Sequence, residues 1–251
     1  MFSNYTLTVK IAIISDVHAN LEALEAVLAK IDDEGVGNII CLGDVVGYGG
    51  NPNECVNLVR RNTLVTLLGN HDAATTGAMN LYYYRESARN VISETRNMLT
   101  PVNYEWLYSL PFTYQMKGAA FYHGAPLIPS SFFYVVKEEE AQAHTRVFPR
   151  LAPISFIGHS HMPNVFMVTK RHVKKIHEGI LEPSDKVKYI VNVGSVGQPR
   201  DKDPRAAFLI WDVDTNEVNN IRVEYNIASA AKHIIDLGFD EGFAKRLYSG
   251  T

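Results

Sequence analysis

Short apolar runs alternate with amphipathic segments over the first 70 residues. Residues 9–14 and 39–42 are almost continuously apolar, and they are short enough to be strands that are buried on both faces. Residues 21–31 place leucine, valine and isoleucine on one helical face behind a capping asparagine, which predicts a helix. A second helix is predicted over 52–60 and a third strand over 64–68. This alternation predicts a parallel βαβαβ sheet.

The rest of the chain changes from helical to strand-rich. Helical patterns predict an insertion around 73–110 and closing helices around 228–248. Strand patterns between them predict a second, largely antiparallel sheet; they cover 112–116, 119–122, 154–157, 165–169, 173–177, 188–193, 207–213 and 218–224. No repeat or long linker divides residues 1–251. We therefore expect a single α/β domain, a two-sheet β-sandwich flanked by helices.

Side chains that bind metals or move protons follow five of the apolar runs. They are Asp16 and His18; Asp44; Asn70, His71 and Asp72; His123; and His159 and His161. Parallel strands bring their carboxyl ends to one edge of a sheet, so we expect these groups to converge. Glycines at 43, 69 and 158 would let the chain turn sharply there. Any one of these segments alone is typical of an ordinary polar turn, but five together are not.

The converging groups exceed the ligands that one transition metal takes. Two ions about 3.5–4 Å apart that share a bridging carboxylate would accommodate them. The mixture of carboxylate, amide and imidazole ligands favours manganese, iron or zinc over magnesium or calcium. The sequence therefore predicts a site for two divalent transition-metal ions.

Composition narrows the class of protein. Lys and Arg number 24 against 27 Asp and Glu, and this net charge of −3 does not favour non-specific binding to nucleic acid or to an anionic membrane. No apolar run approaches the roughly 20 residues of a membrane-spanning helix, and residues 1–8 lack the features of a signal peptide. Cys41 and Cys55 do not form a disulfide framework or a CxxC motif. We expect a reduced, cytoplasmic protein.

In their order along the chain, these residues resemble the calcineurin-like metallophosphoesterases. The resemblance covers about residues 9–213; its motifs are Asp16-x-His18, Gly43-Asp44, Gly69-Asn70-His71-Asp72, His123 and Gly158-His159-Ser160-His161. Segments 43–49 and 192–200 resemble the small prokaryotic branch, which includes phosphodiesterases and dinucleoside-polyphosphate hydrolases.

The resemblance implies roles for eight residues. One metal would be held by Asp16, His18 and His161 and the other by Asn70, His123 and His159, with Asp44 bridging and His71 assisting the leaving group. A hydroxide that bridges the metals would attack phosphorus in line. The activity implied is hydrolysis of a small phosphate ester or of a nucleotide phosphodiester or phosphoanhydride.

The chain departs from the larger phosphatases of this superfamily beside the bridging aspartate. Where those enzymes carry an Asp that supports the histidine and an Arg that contacts phosphate, this chain has Gly47 and Tyr48. The departure disfavours a phosphoprotein phosphatase and leaves the partner of His71 unassigned. Asp72 is adjacent in sequence, and we predict for it a supporting role next to the ligands.

Substrate contacts are predicted from two segments. Arg200 and Arg205 flank a loop behind a glycine-rich turn, where either could bind phosphate; an Arg–Asp pair within a solvated loop is the alternative. The tyrosines at 82–84 could stack on a nucleobase, although such a cluster more often reflects helix packing.

We therefore expect a phosphoric ester hydrolase that acts on a small phosphorylated molecule. A nucleic-acid polymer is disfavoured as substrate because the composition shows no basic groove. The alternative is a non-catalytic scaffold or a metal or nucleotide sensor that retains the fold. Whether the chain forms a homo-oligomer stays open.

Overall fold

Two six-stranded sheets form the centre of the computed structural model, which describes residues 9–251; the expectation about a signal peptide concerns residues outside this range. The strands are β1 Lys10–Ile14, β2 Asn38–Cys41, β3 Val65–Thr66, β4 Thr113–Met116, β5 Ala119–Tyr122, β6 Ile154–Ile157, β7 Asn164–Val168, β8 Val173–Ile176, β9 Gly179–Ile180, β10 Lys188–Asn192, β11 Ala206–Asp212 and β12 Glu217–Val223. The helices are α1 Leu21–Asp33, α2 Pro52–Asn62, α3 Asn70–Thr76, α4 Glu86–Met98, α5 Pro101–Tyr108, α6 Glu138–Gln142, α7 Ile227–Asp236 and α8 Glu241–Ser249.

The first sheet has the strand order β3-β2-β1-β11-β12-β9. Strands β1, β2 and β3 are parallel, as the βαβαβ pattern predicts. The hairpin β11–β12 joins this sheet through antiparallel pairing of β11 with β1. Because β11 runs against β1, the loop that leads into β11 lies at the carboxyl end of β1.

The second sheet has the order β4-β5-β6-β10-β7-β8 and is mixed. Its central strands β5, β6 and β10 are parallel, so the expectation of a largely antiparallel sheet was wrong at its centre. The parallel pairing turns the carboxyl ends of β5 and β6 toward the same edge, which is where the histidines follow.

The core between the sheets explains the continuous apolar runs. Ile11 and Ile13 of β1 pack against the facing sheet, in a cluster with Phe121, Phe156 and Trp211. The alternate residues of β1, Ala12 and Ile14, pack on the other face with residues of α1. A strand with side chains buried on both faces needs no polar alternation.

The helical segments agree with the predicted pattern except near residue 82. Asn20 caps α1 by accepting a hydrogen bond from the Ala23 backbone N–H at 3.1 Å. Within the helical insertion predicted around 73–110, a 3₁₀ turn, Leu81–Tyr83, precedes α4. Short 3₁₀ segments also occur at Pro129–Ser131 and Ala143–Arg150. Among residues 9–251, no helix combines the length and apolar character needed to cross a membrane.

Candidate metal centre

The predicted side chains converge at the carboxyl ends of the strands. All eight of the residues to which the resemblance assigns a role are buried there: Asp16, His18, Asp44, Asn70, His71, His123, His159 and His161. Backbone hydrogen bonds join the loops that carry them, since the Asp16 N–H donates to the Gly43 carbonyl at 2.9 Å and the Gly158 N–H to the His123 carbonyl at 2.9 Å. The His159 backbone N–H donates to Asp16 Oδ2 at 3.0 Å, and this bond joins the loops of the second sheet to those of the first.

Five of these residues have a left-handed backbone conformation. Positive φ values between 49° and 64° occur at Asp16, His18, Asp44, His159 and His161. Such conformations cost about 1–3 kcal/mol each in a non-glycine residue, and they persist where the surrounding contacts determine them. Backbone strain is thus concentrated in the residues that point their side chains into the cluster.

The neighbouring glycines are required for different reasons. Gly43 has a φ of 106°, so it supplies the sharp turn that the sequence predicts. Gly69 and Gly158 do not have this conformation; a Cβ at Gly69 would overlap the Asp44 side chain, and one at Gly158 would overlap Ser15. Their function is to allow close approach of the ligand loops.

Two groups of electron-pair donors lie within the cluster, and a third group, His18, Asp44 and His71, shares one residue with each of them. Asp16, His18 and His161 bring one ligand atom each within 4.8 Å of one another, and so do Asp44, His123 and His159. Asp44 Oδ2 lies 3.4 Å from His123 Nε2 and 3.7 Å from His18 Nε2, so its carboxylate stands between the groups. Asn70 Oδ1 lies 3.1 Å from His123 Nε2.

Hydrogen bonds to backbone carbonyls orient three imidazoles. The Nδ1–H groups donate to the carbonyls of Val46, Leu42 and Gln198, from His18 at 3.2 Å, His123 at 3.1 Å and His161 at 2.5 Å. Each of these rings then turns Nε2 toward the cluster, while His159 places Nδ1 3.2 Å from His123 Nε2. Such outer hydrogen bonds orient metal-binding histidines.

Burial and the two carboxylates determine the protonation of the cluster. Burial lowers the pKa of His159 to about 3 and keeps the pKa of His18 well below its ordinary value. Burial would also lower the pKa of His123, but the nearby carboxylates, Asp44 foremost, raise it to about 9. Burial alone would raise the pKa of Asp16, yet the adjacent His161 and its neighbours hold it well below the usual range.

The donor set fits a cation. His18 Nε2 and His161 Nε2 lie 3.1 Å apart, and because both rings donate from Nδ1, their Nε2 lone pairs point to the same space as Asp16 Oδ1. Asp16 Oδ1 is buried and receives no hydrogen bond from any described residue. Three lone-pair donors without a hydrogen among them suit a transition-metal ion.

His71 contacts Tyr48 and not Asp72. Its Nε2 lies 3.1 Å from the Tyr48 hydroxyl, and no described residue bonds its Nδ1. Asp72 accepts hydrogen bonds from the backbone N–H groups of Val45 at 2.9 Å and Gly69 at 3.1 Å. Asp72 therefore joins the loop of Asp44 to the start of α3. No sequence pattern predicted the contact between Tyr48 and His71, although residue 48 differs from the Arg of the larger phosphatases.

Tyr84 positions Asn70, which sequence reasoning also missed. The Asn70 side-chain amide donates to the Tyr84 hydroxyl at 2.8 Å, and this hydroxyl donates to the Asn70 backbone carbonyl at 2.8 Å. Asn70 Oδ1 is thereby left to face His123. The cluster of tyrosines was the available signal, but it suggested stacking on a base.

A cavity of about 510 Å³ opens beside the cluster, and Asn70, His71 and His159 contribute to its wall. Arg200 lines it, with its guanidinium carbon 5.9 Å from the centre of the Tyr48 ring. Arg205 does not line it; its guanidinium pairs with Asp203 at 2.7 Å, which is the alternative that the sequence left open.

Gly47 allows His71 to occupy its position. A Cβ at Gly47 would lie 2.5 Å from His71 Nδ1, and Gly47 has a φ of 97°. We expect Gly47→Ala to lower both stability and kcat, because the imidazole must move. Gly35→Ala is the matched control, since Gly35 has a φ of 67° and nothing within 4 Å of its Cβ position; it should cost about 1–2 kcal/mol in unfolding free energy and leave kcat unchanged. Thermal unfolding and steady-state kinetics test both variants, and equal kcat values for the two would contradict the expectation.

Known proteins are similar to this chain in sequence and in architecture. The model of the calcineurin-like phosphoesterase superfamily domain matches residues 9–216. An uncharacterised protein of Methanocaldococcus jannaschii is 36% identical over 244 residues, covering 96% of this chain and 98% of its own. The crystal structure of a metallophosphoesterase from Sphaerobacter thermophilus has a TM-score of 0.81 at 36% identity and covers 97% of this chain and 100% of its own. A hypothetical protein from Pyrococcus horikoshii shares the fold, with a TM-score of 0.77, 19% identity and coverage of 96% and 98%. The predicted two-sheet α/β fold is thus confirmed, and this chain belongs to the calcineurin-like phosphoesterase superfamily.

Proposed function

We propose that the chain is a dinuclear metal-dependent phosphoesterase that hydrolyses a small phosphate ester or a nucleotide-type phosphodiester or phosphoanhydride. The observation that carries this proposal is the pair of buried donor groups on either side of Asp44, next to a cavity lined by His71 and Arg200. A cavity of about 510 Å³ is in the range that small ligands occupy.

The chain's residues divide between two metal positions. Asp16, His18 and His161 would hold one ion and Asn70, His123 and His159 the other, with Asp44 shared. Backbone hydrogen bonds support this division. The His159 N–H donates to Asp16 Oδ2 at 3.0 Å, and the His71 N–H donates to Asp44 Oδ1 at 2.8 Å. The other oxygen of each carboxylate is thereby turned toward the imidazoles. Bound cations would stabilise negative charge on the phosphoryl oxygens and lower the pKa of a nearby water molecule.

His71 is suited to assist the leaving group. Burial lowers its pKa to about 4, so at neutral pH the imidazole is uncharged and carries one N–H. It lines the cavity beside the Tyr48 hydroxyl, where it can donate a hydrogen bond to the leaving-group oxygen. Arg200, on the same wall, can bind a phosphoryl oxygen.

Removal and return of metal tests the proposal. We expect chelation to abolish hydrolysis of 4-nitrophenyl phosphate, bis(4-nitrophenyl) phosphate and a nucleotide panel, and we expect Mn²⁺, Fe²⁺ or Zn²⁺ to restore it better than Mg²⁺. Elemental analysis should find about two ions per chain in the active protein. Metal uptake without turnover of any substrate would instead support a scaffold or sensor that retains the fold.

A further inference from the structure

Three arginines from separate parts of the chain line the candidate active-site cavity. Arg85 directly precedes α4, Arg200 lies in the loop before β11, and Arg246 belongs to α8. None of the three forms an ion pair with a carboxylate among residues 9–251, whereas Arg205 and Arg222 pair with aspartates. The cavity therefore brings together three guanidinium groups that have no ion-pair partner among residues 9–251.

One of these arginines is bonded to a residue of the candidate metal centre. Arg200 donates its backbone N–H to the His161 carbonyl at 3.2 Å, which ties it to a candidate ligand. Arg246 stands over the Phe243 ring at 5.6 Å, and this ring lies 4.9 Å from the ring of Tyr48. Arg246 therefore lines the cavity beside Phe243 and Tyr48.

The third arginine, Arg85, lines the cavity together with Asn70. It follows Tyr84, whose hydroxyl holds the Asn70 amide. The side chain of Arg85 is exposed, and it contributes to the cavity wall together with Ser87 and Ala88 at the start of α4. Arg85 and Arg246 therefore both line the cavity, and neither forms a hydrogen bond with a candidate ligand among the described residues.

Unneutralised guanidinium groups around one cavity repel each other and attract an anion. A guanidinium group binds phosphate through two parallel hydrogen bonds. Arg200 is placed to meet the phosphate that reacts, so Arg85 and Arg246 are left for a different anionic group. A substrate with a single phosphate would leave these two charges without a partner.

We propose, on the basis of the proposed phosphoesterase function, that the substrate carries a second phosphate group and that Arg85 and Arg246 bind it. The substrate class is then a small molecule with two or more phosphates, joined as an anhydride or attached at separate positions. Recognition of the second phosphate would select against simple monoesters.

Binding of ADP and AMP, which share base and sugar, tests this inference. Calorimetric titrations would use manganese-loaded protein in a His71→Asn background, so that turnover does not consume the nucleotides. We expect ADP to bind at least about tenfold more tightly than AMP, as charge-assisted hydrogen bonds to one additional phosphate predict. Arg85→Ala and Arg246→Ala should each lower this ratio, and the double variant should bring it to within about twofold of one.

Arg61→Ala is the matched control, because Arg61 is exposed on α2 and does not line the cavity; it should leave the ratio unchanged. Equal binding of ADP and AMP by the parent protein would overturn the inference. So would a ratio that survives in the double variant, because the second phosphate would then be bound elsewhere, for example by the metals. If Arg246→Ala unfolds, Arg246→Lys replaces it and should lower the ratio partially.

The inference and the proposed function fail in different ways. The binding ratio is measured without hydrolysis, so it can be determined even if the wild-type protein hydrolyses no phosphate ester. Conversely, an active esterase with equal affinity for ADP and AMP would retain the proposed function and lose the second-phosphate site.

Discussion

Replacing His71 with asparagine is expected to lower kcat by about 10²- to 10⁴-fold, the range that a positioned proton-transfer group contributes, while the metal content stays at two ions per chain. The reason is geometric: His71 faces the cavity and Tyr48, and the sets on either side of Asp44 are complete without it. Steady-state kinetics on a chromogenic phosphate ester and elemental analysis of the same preparation measure both quantities.

The metal content decides between two roles for His71. His71 also lies within 4.8 Å of His18 and Asp44 by its nearest ligand atom, so a loss of metal in His71→Asn would make it a ligand instead of a proton donor. Tyr48→Phe removes only the hydroxyl that meets His71 Nε2, and a smaller loss of kcat is expected from it. His172→Ala, an exposed histidine outside the cluster, should have no effect.

Replacing Asp44 with asparagine is expected to remove at least one of the two metals. The expected loss of activity exceeds the roughly 10- to 100-fold that follows from replacing a residue that only hydrogen-bonds to a metal ligand. Asparagine keeps the volume and an oxygen that can accept the His71 backbone N–H, but it loses the charge between the two groups. Metal titrations and kinetics at saturating metal would measure the effect. Retention of two tightly bound ions would contradict a shared role for Asp44.

Asp72→Asn is the matched control for this change. Asp72 is as buried as Asp44, but it accepts backbone hydrogen bonds from Val45, Val46 and Gly69 and belongs to no candidate metal group. Burial, with the charge of Asp44, raises its pKa to about 7. We expect its replacement to cost about 1–3 kcal/mol of unfolding free energy, the price of an unsatisfied buried donor, while two metals remain bound.

Much of the fold could be predicted because the buried strands are short and continuously apolar. The parallel order of β1, β2 and β3 follows from the helices between them. The pairing of β11 with β1 could not be predicted, because nearly 200 residues separate the two strands. The apolar pattern of β11 is equally compatible with a place in either sheet. The parallel centre of the second sheet was missed for the same reason.

The candidate ligands could be predicted as a group because each lies within a few residues of the carboxyl end of a strand. Their supporting contacts could not, because these join residues from unrelated segments. Tyr48 contacts His71 through its hydroxyl, and Tyr84 hydrogen-bonds to Asn70. Arg246 lines the cavity although it belongs to α8, more than 150 residues after the tyrosines in sequence. Asp203 engages Arg205, a contact between close neighbours that the sequence left as one of two alternatives.

The sequence by itself determined which imidazoles, carboxylates and amides follow the strands, and this set of donors favours a transition-metal ion. Only the tertiary structure decided how the two sheets are stacked, which ring nitrogens turn inward and which arginines stay unpaired beside the cavity. The physical reason is that strand ends are specified by local apolar patterns, whereas hydrogen bonds and ion pairs depend on distances that arise only when remote loops pack together.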